Sequence, residues 1–224
     1  MESKYLSKTA VYDREQEKRK KNIRYIEKDA PEIIATFRDS IKSIYNSFSL
    51  IDDVNCEAAK DILRFQIVYA MSALDFFMHE ISVYCLLRIF KNEMPKTYRY
   101  FEYKIPLFLL EKAVYDRENL EGYLKDTLIH LNKNYSFMSS GRIKELLRII
   151  TRGNIFSYVE RILKKKKIID KGVSLSDILD EIYERRNKIA HQTDIDHGED
   201  ERNIINRATA KYYVGVISGF VETL

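Results

Sequence analysis

Apolar positions recur three and four residues apart along most of the chain, the spacing that lays one stripe down a helix. After Pro31, EIIATFRDSIKSIYNSF carries Ile34, Phe37, Ile41, Ile44, Tyr45 and Phe48 in that rhythm. LIDDVNCE breaks it, and residues 57–92 predict one long helix, the most apolar of the chain, ended by Asn92 and Pro95. The aromatic-rich stretch 95–138 predicts two short helices. Ser139-Ser140-Gly141 predicts a cap for the helix GRIKELLRIIT, Gly153 breaks it, and NIFSYVERILKKKKIID predicts the next. After the Lys171-Gly172 turn, Ser174 or Ser176 caps LSDILDEIYERRNKIAHQ, with Asp177 and Asp180 in its first turn. Asp194 to Asp200 reads as a solvated polar loop. Residues 201–224 read as a closing helix striped by Ile204, Ile205, Ala208, Tyr212, Val216 and Phe220. The sum is one all-α domain over residues 1–224, an up-and-down helical bundle: N-terminal helices over 13–56, a long core helix over 57–92, a central helical insertion over 95–138, and further helices over 139–224.

Composition agrees. Seven Gly and three Pro in 224 residues are too few for a β-sandwich or a Gly-rich dinucleotide fold, and 45% hydrophobic residues suffice for a core. The net charge of +4 permits a polyanionic partner without demanding one. Two cysteines, Cys56 and Cys85, fit a reducing cytosol rather than a disulfide framework or a structural zinc site. The N-terminus lacks the apolar core of a signal peptide. Ile67–Phe90 carries Asp75, His79, Glu80 and Arg88, too charged for a membrane span, and reads as a buried helix. The run 13–28 reads as the solvated face of a first helix rather than an arm for nucleic acid, because acids and bases alternate. Tyr98, Tyr100, Phe101 and Tyr103 interleave with Arg99 and Lys104 and could stack bases; packing on the bundle is favoured.

Two polar features interrupt apolar faces. Leu175, Ile178, Leu179, Ile182 and Ile189 form a stripe in which Arg186 occupies a core-facing position, and Arg is rarely buried unless paired. Asn187 and His191, four apart, share a different face. On the long helix, Arg64, Ser72, Asp75, His79 and Ser82 form a polar seam that something must satisfy. The expectation is an Asp75–Arg186 pair across the core.

Tyr183-Glu184-Arg185-Arg186-Asn187-Lys188-Ile189-Ala190-His191-Gln192-Thr193-Asp194 resembles the signature of HEPN domains, helical bundles whose motif is Arg, a polar residue commonly Asn, three more residues, then His. The flanks resemble the branch named for its link to RiboL-PSP proteins: Ser136-Phe137, the Ile143-Lys144-Glu145-Leu146 helix, the RRNxIAHxxD core, an Asp-rich loop, and an end at Phe220-Val221. Ser72-Ala73-Leu74-Asp75-Phe76-Phe77 also looks like the family's small-Ala-Leu-acid stretch.

The resemblance implies a HEPN-type bundle and, in active members, a metal-independent endoribonuclease that dimerises so that two motif helices build one cleft. It assigns His191 as general acid or base, Arg186 to the scissile phosphate and Asn187 to orienting either, with Asp75, His79 and Arg185 in support. No cofactor or metal is implied; Asp194, Asp196 and His197 read as a solvated loop rather than a metal site. Arg142, Lys144, Arg148 and Arg152, with Lys164, Lys165, Lys166 and Lys167, are candidates for positioning RNA, although the lysine run also suits a helix end. The implied setting is a cytoplasmic toxin or antiviral system, with an RNA substrate and an antitoxin or regulatory partner protein. The competing reading is an inactive HEPN module that binds nucleotide, RNA or a partner; a DNA-binding or scaffold protein is least favoured.

Overall fold

The computed structural model describes residues 28–49, 51, 56–133, 135–196, 198 and 200–224. The charge run 13–28, except Lys28, and most of LIDDVNCE lie outside the described residues. Nine α-helices form among those described: α1 (Ala30–Ser49), α2 (Glu57–Phe90), α3 (Tyr98–Phe101), α4 (Phe108–Tyr115), α5 (Leu120–Lys133), α6 (Ser140–Ile150), α7 (Ile155–Lys165), α8 (Leu175–Gln192) and α9 (Arg207–Thr223). A short 3-10 turn precedes α5, and the described residues hold no strand beyond an isolated Ile195–Arg202 bridge.

The long apolar helix is the axis of the bundle. Around α2 pack α1, α5, α6, α8 and α9, which is why Leu63, Ile67, Ala70, Met71, Leu74 and Met78 are buried. Phe37 and Phe77 join α1 to it with ring centroids 5.7 Å apart. By length and composition α2 could cross a membrane, but 61% of its most apolar window is buried inside the bundle, as in a core helix. The insertion packs on its C-terminal half: Asn132 donates to Ser82 at 3.3 Å, and Thr97 caps α3 while donating to the Ile149 carbonyl at 2.8 Å. Tyr100 and Tyr103 lie against the core, whereas Tyr98 and Phe101 face solvent.

Three local expectations change. Ser139 makes no side-chain cap on α6; Asp180 of α8 reaches across instead and accepts from both the Ser140 N–H (2.8 Å) and its hydroxyl (2.6 Å). The insertion holds three helices, not two. The closing helix starts at Arg207 behind an Asn206 cap, so Ile204 lies outside it and is 92% exposed. Its buried face carries Ala210, Tyr213, Val214, Val216, Ile217 and Phe220, leaving Ala208 and Tyr212 outward.

Cys85 is buried and its thiol is pushed up to about 11 by desolvation, while Cys56 at the start of α2 is exposed. A thiol reagent at pH 8 therefore modifies Cys56 in the folded protein and reaches Cys85 only after denaturant is added. Equal, fast labelling of both without denaturant would contradict this packing.

Candidate functional site

Ser174 starts α8 by accepting from the Ser176 N–H at 3.1 Å. Leu175, Ile178, Leu179 and Ile182 then bury one stripe, as their spacing predicts. Beyond Ile182 the helix leaves the core. Arg185, Arg186, Asn187, Lys188 and Ile189 are half-buried, and His191 is exposed in the last turn.

Arg186 thus sits where the apolar stripe emerges from the bundle rather than at its centre. Its Nη1 donates to Asn187 Oδ1 at 3.1 Å, and its Nε is buried without a partner. No carboxylate among the described residues forms an ion pair with it.

The expected Asp75–Arg186 pair is not formed. Asp75 Oδ1 accepts from the Phe137 N–H at 2.6 Å, and Oδ2 lies 3.6 Å from His79 Nε2. His79 in turn stands edge-on to Phe137, centroids 4.9 Å apart. Asp75 and His79 therefore anchor the stretch before α6 instead of bracing Arg186.

A different buried ion pair closes the end of α8. Asp194 is 0% exposed. Its Oδ2 accepts from Arg64 Nε at 2.7 Å and from Arg185 Nη2 at 2.8 Å. Arg64 also donates to the Asn203 carbonyl (3.0 Å), and Arg185 to the Ile204 carbonyl (3.0 Å). Asn203 returns two bonds to the Asp194 carbonyl, 2.7 Å from its N–H and 3.1 Å from Nδ2. Thr193 (φ 51°) and Asp194 (φ 66°) are both left-handed, and the Asp194 N–H folds back on the Lys188 carbonyl at 2.9 Å. A β-branched residue in that region costs about 1–3 kcal/mol and persists only when its surroundings hold it. Asp194 is thus no solvated residue, since it holds two arginines, whereas Asp196 is partly exposed and pairs with Lys188 at 2.6 Å, the ammonium drawing the Asp196 carboxyl below its usual range. His197 lies outside the described residues. Two sequence signals pointed toward this clamp: Arg64 on an otherwise apolar helix, which demanded a buried acid, and the Arg185 and Asp194 that bound the RRNxIAHxxD core.

Two of the candidate basic residues, Lys144 of α6 and Lys164 of α7, lie near the start of α8. Lys144 donates to Ser176, and Lys164 pairs at 2.6 Å with Glu160, whose other oxygen accepts from the Leu175 N–H. Leu175 lies about 24 Å of helix from His191 at 1.5 Å per residue. Arg142 stacks over Tyr135 at 4.6 Å, Arg152 donates to the Lys96 carbonyl, and Arg148 and Lys165–167 are exposed.

A helical bundle that carries Arg-Asn-x-x-x-His in the closing turns of its penultimate helix has the form of a HEPN domain. The chain belongs to the RiboL-PSP-HEPN family, whose model matches residues 8–224. No curated protein and no solved structure matches it.

Asp194 and Arg186 should behave oppositely in urea unfolding. Asp194→Ala leaves a buried and a half-buried cation without their anion and should cost roughly 3–5 kcal/mol. Arg186→Leu breaks no ion pair and replaces an unsatisfied buried N–H with hydrocarbon, so stability should change by less than about 1 kcal/mol. A large loss for Arg186→Leu would mean that it holds the fold.

Proposed function

We propose that this chain is a metal-independent endoribonuclease of a toxin or antiviral defence system, working in the cytoplasm as a homodimer. The observation that carries this reading is the contrast within one turn of α8. Arg185 is neutralised by Asp194, whereas Arg186 is half-buried, free of any carboxylate among the described residues, and five positions before an exposed His191. A partly desolvated guanidinium with no internal anion favours a planar or tetrahedral oxyanion, here the scissile phosphate of RNA.

The ribose 2′-oxygen attacks phosphorus and gives its proton to a base. The P–O5′ bond breaks, and the leaving 5′-oxygen takes a proton from an acid. The products are a 2′,3′-cyclic phosphate and a 5′-hydroxyl. Arg186 offsets charge on the phosphoryl oxygens, and Asn187, already bonded to Arg186, orients it. The motif of one chain offers a single imidazole, His191; a second copy supplies the partner for the other proton transfer. Self-association also draws support from α2, where Ile62, Phe65, Tyr69 and Phe76 form an exposed row at helical spacing, with Phe65 69% exposed. An antitoxin or other regulatory protein is the implied restraint.

Mixed RNA incubated with the protein in EDTA tests the reading. Cleavage to cyclic-phosphate and 5′-hydroxyl ends is expected, with Arg186→Ala and His191→Ala each losing at least about 100-fold. Light scattering should give twice the chain mass. Intact RNA after treatment with folded protein would instead assign Arg186 to phosphate binding without chemistry, the behaviour of an inactive HEPN module holding nucleotide, RNA or a partner protein.

A further inference from the structure

We infer that the Arg64–Asp194–Arg185 clamp positions His191. This rests on the ribonuclease reading only for its kinetic consequence. Helix ends fray unless something holds them, and His191 occupies the last turn of a helix with no fully buried residue after Ile182. The Asp194 N–H bond to the Lys188 carbonyl closes a loop with His191 at its midpoint. The Asp194 side chain is tied to α2 through Arg64 and to α8, nine residues earlier in the chain, through Arg185. The Asp194 carbonyl is tied to Asn203, and the Thr193 carbonyl accepts from Arg202 at 3.0 Å. The arc that carries the imidazole is therefore fastened at its far end to the central helix of the bundle. Asp194 is a positioning residue: it touches no substrate and acts by fixing where His191 stands. Arg186, one turn earlier, needs no such support to meet a phosphate, so loosening the clamp should lower turnover and leave substrate binding in place.

Asp194→Asn keeps the size of the side chain and removes the charge that both arginines share; Arg64→Lys keeps a cation and removes the fork. Amide hydrogen exchange and steady-state RNA cleavage are measured on both beside the unmodified protein. In the unmodified protein the Asp194 amide should exchange about as slowly as those of Leu179 and Ile182. In either variant, amides 190–194 should exchange at least 10-fold faster while those of Leu179 and Ile182 hold. With RNA, kcat should fall roughly 10- to 100-fold with KM within about twofold, the effect of displacing a proton-transfer group by about an ångström. A purely structural role would not separate kcat from KM in this way. Fast exchange at Asp194 in the unmodified protein overturns the proposal even if neither variant folds. So does wild-type kcat in a folded Asp194→Asn protein. If the unmodified protein cuts no RNA, the ribonuclease reading falls, and the clamp stands or falls on exchange alone.

Discussion

One carboxylate shared by two guanidinium groups inside the bundle sets the geometry around the motif. Asp194 meets Arg64 from the central helix and Arg185 from its own helix on a single oxygen. Two cations against one anion is an unbalanced account for a buried place, and the surplus is spread: Asp61 lies 3.3 Å from Arg64, and the Asn203 and Ile204 carbonyls turn their negative ends inward. Buried charge of this kind is not a large net stabiliser, because desolvation opposes the Coulomb gain. It is specific instead, since any other arrangement of the three groups leaves a charge alone in a low dielectric. That specificity fixes where α8 ends and holds Asn203 and Ile204 beside that end.

The same interaction separates two identical neighbours. Arg185 and Arg186 are adjacent in sequence and therefore about 100° apart on the helix. One points to the buried carboxylate and the other away from it. Two adjacent arginines precede His191, and under the proposed reading the ion pair favours Arg186 as the one for a phosphate, because Arg185 already neutralises Asp194.

What could be read from sequence follows from how far each signal reaches. Periodicity is local, so α2, the buried face of α8 and the helical bundle were legible, and so was the candidate motif that sits on them. Pairing across helices is not local. Asp75 and Arg186 each lay on a face needing a partner, but the sequence carries no register between α2 and α8, and the nearest donor to Asp75 proved to be a backbone N–H at Phe137. The burial of Asp194 was hidden for the converse reason: although it ends the motif core, it also opens DIDHGED, whose composition describes a solvated loop, and its burial depends on two arginines, one of them 130 positions away in the chain. Ile204 misled in the same manner, since an apolar residue at helical spacing looks like a stripe even where its carbonyl is taken by Arg185 and the chain is not helical.

The asymmetry between the arginines also bears on what kind of HEPN domain this is, because fold alone does not carry function. Folding has a use for Arg64, Asp194 and Arg185 in this chain, whether or not it acts on RNA. Folding has little use for Arg186. Among the described residues its Nε is buried without a partner and its side chain bonds the adjacent Asn187, and hydrocarbon in its place would satisfy the stripe better. A half-buried cation that brings the fold no ion pair is a standing cost, and a site that binds an anion is the physical return that would offset it. The charge on Arg186, more than the net charge of the chain, is what supports a phosphate ligand at this end of the bundle, and the exposed imidazole one turn on is what makes chemistry, rather than binding alone, the reading to test.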